Sequence, residues 1–180
     1  VAAMTFTVAS AFTVVNAQEN PLWMRHSAIS PDGSTIAFTY KGDIFTVPVT
    51  GGKAVQVTTS PDYDSNPIWS PNGKQIVFSS DRYGTDDLFI VDAQGGTPTR
   101  LTTYAAGAET PIAFLNDSTV LFSANILPDV NSRQFPGGTF SQVYTVKTRA
   151  NVRPVMFSSL PMEDICLSKD GKSLLYTDKK

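Results

Sequence analysis

The chain has 180 residues, 41% hydrophobic and 17% charged, with a formal net charge of −2 and one cysteine. This balance excludes a disordered chain, and the length allows a domain with a sizeable core. A single cysteine excludes an internal disulfide, and the lack of clustered Lys and Arg argues against a nucleic-acid partner.

Residues Val1–Val15 form an uncharged stretch rich in Ala, Val, Phe and Thr. It has about the length of a signal-peptide apolar region and is too short to cross a bilayer comfortably, so no membrane span is expected. Val15-Asn16-Ala17 offers an acceptable cleavage site, with Gln18 opening the mature chain. Residues 1–17 are therefore read as a signal-peptide remnant that lacks its basic start. Export to the periplasm or surface of a bacterium follows as an expectation. The competing reading is an apolar N-terminal strand.

From residue 18 the chain repeats itself. Ile29-Ser30-Pro31-Asp32-Gly33 precedes Thr35-Ile36-Ala37-Phe38, and Trp69-Ser70-Pro71-Asn72-Gly73 precedes Gln75-Ile76-Val77-Phe78. Phe114–Ser118 precedes Thr119-Val120-Leu121-Phe122, and Leu167–Gly171 precedes Ser173-Leu174-Leu175-Tyr176. A repeat of about 40–50 residues built from short strands marks a β-propeller blade.

In the first repeat the strands are expected at Ala28–Ser30, Thr35–Tyr40, Asp43–Val49 and Ala54–Thr59. In the second they are expected at Asn66–Ser70, Gln75–Ser80, Asp87–Asp92 and Thr99–Thr103. Pro-Asp-Gly, Pro-Asn-Gly and Gly-Gly form the turns, since Pro presets φ and Gly accepts positive φ. The third repeat keeps Pro111–Leu115, Val120–Ala124 and Gln142–Lys147, with a last strand near Arg153–Met156 and no Gly-Gly turn. The fourth stops after its second strand, Leu174–Thr177. The fold class is thus all-β: an incomplete propeller over residues 18–180, with blades at about 22–60, 61–104, 105–158 and a truncated 159–180. Phe38, Phe78, Phe122 and Tyr176 share one place in the second strand; Phe45, Phe89 and Tyr144 share one in the third. Such rings fill the space between neighbouring sheets.

An up-and-down sheet puts its first and third connections at one end. The second connection and the links between blades lie at the other. The Pro-Asp-Gly and Gly-Gly turns therefore share a plain face. The opposite face carries Pro61–Asp64, Arg82–Asp86 and the long insertion Asn125–Thr139. Long loops on a rigid scaffold are where function concentrates.

Little catalytic chemistry is present. His26 is the one histidine and has no implied partner, so it is read as packing with Trp23 and Met24. No G-x-S-x-G elbow occurs. Asp62-x-Asp64-x-Asn66 starts like a calcium loop, but Pro67 and Gly73 stand where Gly and Glu are needed. Asp64 and Ser65 are instead expected to bind backbone groups of the inter-blade turn. Cys and His are too few for zinc. No cofactor or metal is expected, and Cys166 reads as a buried core thiol.

Pro67–Arg82, Leu88–Gly96 and Leu101-Thr102 resemble the propeller repeats of TolB, of prolyl oligopeptidase relatives and of tricorn-type proteases. Trp23-Met24-Arg25-His26-x-Ala28-Ile29-Ser30-Pro31-Asp32-Gly33, followed by Gly42-Asp43-Ile44-Phe45, is similar to the start of the N-terminal propeller of exported tricorn-like bacterial proteases. The resemblance covers about residues 22–180. It implies a peptide-handling propeller whose partners are peptides or unfolded proteins and the remaining domains of the same chain. The catalytic serine would lie beyond Lys180, with no catalytic residue here. Asp62, Asp64, Arg82, Asp86, Asp87 and Arg133 are then the candidate substrate contacts. A TolB-like interaction module and a prolyl-oligopeptidase-type propeller are the alternatives. Three and a half blades leave an open edge, which implies association, including a homo-oligomer.

Overall fold

Short strands with bulky side chains on both faces cannot stand alone in water, and here they stack as a row of antiparallel sheets. The computed structural model describes residues 23–103, 107–124, 142–149, 152–158, 160, 162–168 and 170–178. Residues 1–17, read from the sequence as a signal-peptide remnant, and the insertion at residues 125–139 lie outside the described residues.

The first sheet runs β1 (Arg25–Ile29), β2 (Thr35–Tyr40), β3 (Asp43–Pro48) and β4 (Val55–Gln56) in spatial order. The second runs β5 (Asp64–Trp69), β6 (Gln75–Ser80), β7 (Asp87–Asp92) and β8 (Thr99–Arg100). The third runs β9 (Glu109–Asn116), β10 (Thr119–Ala124), β11 (Gln142–Lys147) and β12 (Val155–Ser158). A two-stranded sheet, β13 (Met162–Leu167) with β14 (Leu174–Asp178), follows. No helix occurs among the described residues, and the sheets do not close a ring. The chain is an incomplete propeller.

Both expected sets of aromatic positions meet across the second and third strands. Phe38 faces Phe45, Phe78 faces Phe89, and Phe122 faces Tyr144. Ring centres lie 6.0, 5.9 and 5.8 Å apart. The two-residue period of a strand sends alternate side chains to opposite neighbours. Ile76 and Phe78 join Ala37, Ile44 and Val57 in the core between the first two sheets. Val77 instead joins Leu101, Val120 and Phe122 in the core between the second and third. One strand thus serves two cores, and so it shows no polar alternation.

The turns between first and second strands repeat one hydrogen-bond pattern. Ser30 Oγ donates to Asp32 Oδ1 (2.5 Å) and accepts the Thr35 amide (2.9 Å). Ser70 does the same with Asn72 and Gln75 (both 2.9 Å), and Ser168 with Asp170 (2.6 Å) and Ser173 (2.9 Å). The following glycines, Gly33, Gly73 and Gly171, have φ near +70° (73°, 69° and 69°), a region closed to most side chains. Ser, Asp or Asn, and Gly thus act together in these three repeats, while the third repeat makes its turn with Asn116, whose Oδ1 accepts the Ser118 amide (3.0 Å).

Four expectations need correction. The expected fourth strands Ala54–Thr59 and Thr99–Thr103 shrink to Val55–Gln56 and Thr99–Arg100. Beyond them the threonine hydroxyls take over: Thr58 Oγ1 accepts the Ile44 amide (2.9 Å) and Thr102 Oγ1 that of Leu88 (2.8 Å). The last strand of the third repeat lies at Val155–Ser158 rather than near Arg153–Met156, paired through Thr145 with Val155. His26 does not pack with Trp23 and Met24; all three are exposed. His26 is a β-bulge residue with φ of 49°, and Asn66 (52°) and Asp164 (50°) hold the same place in the second and fourth repeats. His, Asn and Asp are enriched in that backbone region.

Cys166, expected in the core, is exposed. It pairs with Leu175, which occupies the place of Val77 and so faces away from the preceding sheet. No further sheet covers that side among the described residues.

Two predictions follow from this packing. Phe78 is completely buried, so Phe78→Ala should cost about 3–5 kcal/mol in denaturant unfolding. A change below about 1 kcal/mol would contradict its role in the core. Leu175 is 74% exposed on an edge strand. A chain ending at Lys180 should self-associate in sedimentation velocity, and Leu175→Lys should reduce that association. A monodisperse monomer with a sharp melt would refute the prediction.

Candidate functional site

The two faces of the sheet row differ as the topology requires. On the hairpin-turn face a cavity of about 710 Å³ opens between the first two blades, bordered by Pro31, Pro48, Trp69 and Pro71. It has volume but little available chemistry. Trp69 Nε1 donates across it to the Ala28 carbonyl (3.1 Å), tying the two first strands together. Hydrogen bonds from Ser30 and Ser34 hold the Asp32 carboxyl down at about 2, so this group is already engaged within its own turn.

The other face is assembled from links between blades. The Asp64 amide donates to the Gly42 carbonyl (2.7 Å), and the Tyr63 amide to Asp81 Oδ1 (2.7 Å). One blade further on, the Glu109 amide donates to the Asp86 carbonyl (2.9 Å). The loop at residues 81–86 is thereby fastened at both ends.

Four of the expected site residues come together around this loop. Asp64, the first residue of β5, is completely buried and does not bind the inter-blade backbone as expected. Its two carboxylate oxygens accept from Arg82 Nη2 at 2.8 and 3.0 Å, because burial leaves the carboxylate needing a cation. Arg82 Nε also donates to Ser80 Oγ (2.8 Å), and the guanidinium lies 4.4 Å from the centre of the Phe89 ring. Asp87, the first residue of β7, is likewise buried, with Oδ2 2.6 Å from Arg100 Nη2 and Oδ1 without a partner. Burial raises its carboxyl pKa, Arg100 opposes the rise, and Asp86 adds to it. Burial and the neighbouring Asp81 also raise the Asp86 carboxyl.

Asp62 stands apart, its Oδ2 accepting from Ser60 Oγ (3.0 Å). Backbone binding at the inter-blade turn falls instead to Asp43, whose Oδ1 accepts the Ser60 amide (3.0 Å), and to Asp81, which accepts the Tyr63 amide. Arg133 lies outside the described residues.

Three residues that matter here were not singled out in the sequence. Glu109 is buried at the start of β9 and accepts from the Thr102 hydroxyl, and its Oε1 has no partner. Burial is the main cause that pushes its carboxyl up to about 7, and Asp87 adds to the rise. Arg100 holds Asp87 and also lies over Tyr83, 4.4 Å from the ring centre. Tyr83 stacks on Phe89 (6.1 Å, 10° between planes) while remaining 64% exposed. Its position between Arg82 and Gly84 in a charged loop was the available signal.

One cleft on this face is aromatic and basic. Trp23 (69% exposed), Arg25, Lys41 and Tyr63 (40% exposed) line a cleft of about 360 Å³. Tyr83 projects from the next link along. No group of three metal-ligating side chains occurs among the described residues. The geometry is that of an exposed aromatic surface braced from beneath by ion pairs.

Comparison with known proteins agrees with the fold. A tricorn protease homolog of Streptomyces coelicolor is 32% identical over 72 residues, 40% of this chain and 7% of that protein. A Bacillus subtilis protein described as an uncharacterized peptidase, YuxL, is 26% identical over 156 residues, 81% of this chain and 22% of the relative. The chain thus spans less than a quarter of the length of either curated relative. Among solved structures, a putative TolB from Agrobacterium tumefaciens superposes with a TM-score of 0.58 at 20% identity, covering 87% of this chain and 50% of that one. The family model described as the tricorn protease N-terminal beta propeller domain matches residues 21–180, and the chain belongs to that family.

Proposed function

We propose that this propeller is the substrate-handling part of a larger exported serine peptidase, guiding unfolded peptides toward a catalytic domain elsewhere in the same protein. Membership of a peptidase propeller family supports the reaction class. The exposed Trp23, Tyr63 and Tyr83 on the loop face are the observation that carries the handling role. Aromatic side chains on a rigid frame bind extended chains of many sequences, because they offer area at little entropic cost. The composition of Val1–Ala17 supports export.

The expected acidic contacts are reassigned within this reading. Asp64 and Asp87 are buried and act as braces for Arg82 and Arg100. Asp62 and Asp86 remain candidates for peptide amines, and Arg133 for carboxylates. The similarity to the TolB structure favours one second reading, a non-enzymatic interaction module of the cell envelope.

A full-length protein carrying this propeller separates the two readings, since peptide hydrolysis is expected only of the first. Tyr63→Ala with Tyr83→Ala should lower kcat/KM about 2- to 10-fold for long unstructured peptides and leave short peptides unchanged. Equal effects on both substrates would refute the handling role. Absence of hydrolysis by the unmodified protein would favour the interaction module.

A further inference from the structure

The seam between the second and third blades contains a carboxyl group that forms no ion pair among the described residues. Glu109 and Asp64 hold equivalent places. Asp64 pairs with Ser80 and Glu109 with Ala124, each two residues beyond the ring of its second strand. Ser80 is followed two residues later by Arg82, which binds Asp64; Ala124 is followed two residues later in the sequence by Ile126. No salt bridge reaches Glu109 among the described residues.

Burial and Asp87 favour the neutral acid and outweigh the Thr102 hydroxyl, the Leu88 amide and Arg100, which favour the charged form. Glu109 Oε1 is buried without a partner, and Asp87 Oδ1 is in the same condition. The third and fourth strands of the second blade contribute Asp87 and Arg100, and Arg100 is already bound to Asp87. From β5 the charged group is Asp64, held by Arg82. Ser79 of β6 donates to the Glu109 carbonyl (2.6 Å), and Ala124 of β10 lies opposite, so neither brings charge. On β13, Glu163 and Asp164 are exposed, and Asp164 accepts from Thr177.

We propose that a protonated Glu109 locks the second blade to the third, and that ionisation of this carboxyl loosens the seam, so that the propeller responds to pH. An ionised Glu109 would face the buried Asp87 carboxylate with no free cation among the described residues, which favours opening to water. The seam bond from the Glu109 amide to the Asp86 carbonyl links this event to the loop that carries Tyr83. The folded carboxyl titrates near pH 7 and its ordinary value is 4.5, so the closed seam binds a proton that the open one releases. Its stability is fully present below the ordinary value and falls as pH rises to about 7, by up to roughly tenfold in opening equilibrium per pH unit.

Hydrogen exchange on the full-length protein tests this between about pH 5 and about pH 8, after correction for intrinsic rates. Protection of the Glu109 and Leu88 amides should fall up to about pH 7 and then level off. The equivalent Asp64 and Ile44 amides, in the seam closed by Arg82, serve as the internal control. Glu109→Gln, a permanently neutral group, should abolish the pH dependence and keep the acid-side protection. A parallel loss at both seams in the unmodified protein, no loss at either, or an unchanged slope in Glu109→Gln would each overturn the proposal. The comparison of the two seams needs no variant, so it decides the matter even if Glu109→Gln fails to fold.

Discussion

Each of the four-stranded sheets here is apolar on both faces, and that one constraint governs the rest of the molecule. In β6, Ile76 and Phe78 need the first blade while Val77 needs the third. Burying only one face would leave about half of that area in water, so no blade is a stable unit by itself. The aromatic pairs Phe38–Phe45, Phe78–Phe89 and Phe122–Tyr144 set the spacing between sheets. Where the stack stops, the same positions become liabilities: Leu175 and Cys166 are exposed because they point where a following sheet would lie.

Two-sided burial also decides the fate of polar groups at the strand starts. In β5, β9 and β13, each of which follows another sheet, the first position is buried in the seam. Asp64 meets that condition with an arginine and Glu109 with a proton, and Met162, paired with Asp178 at the same place in the fourth repeat, meets it by being apolar. A buried ion pair is stable only when neither member is left alone, which is why Arg82 is held by Asp64, Ser80 and two aromatic rings at once. Arg82 therefore shapes the loop around it, and Tyr83 is the side chain that the loop presents.

The amount of this that can be read from the sequence follows from the range of each interaction. Ser30-Pro31-Asp32-Gly33 announces its turn because every bond in it lies within five residues. The ring positions are legible because they recur in each repeat. Asp64 and Arg82 are 18 residues apart, and Thr102 reaches Glu109 across a blade boundary, so neither partnership is visible in a local pattern. For that reason Asp64 and Asp87 read as surface charges in the chain and are buried in the fold. His26 looked isolated as a unique residue, and only alignment with Asn66 and Asp164 identifies it as the residue of a repeated bulge.

The two faces of the row consequently have different physical characters. On the hairpin face the polar atoms of Ser30, Asp32, Ser70 and Asn72 bind one another within a few residues, which makes that face rigid and chemically quiet despite its cavity. On the loop face the bonds cross between blades, from Asp64 to Gly42 and from Glu109 to Asp86. A surface tied together across seams moves when the seams move, whereas a surface made of self-contained turns does not. Any coupling between blade packing and an arriving chain must therefore run through the loop face. There Glu109, which has no counter-ion among the described residues, donates its amide to the strand link that ends at the exposed tyrosine's loop.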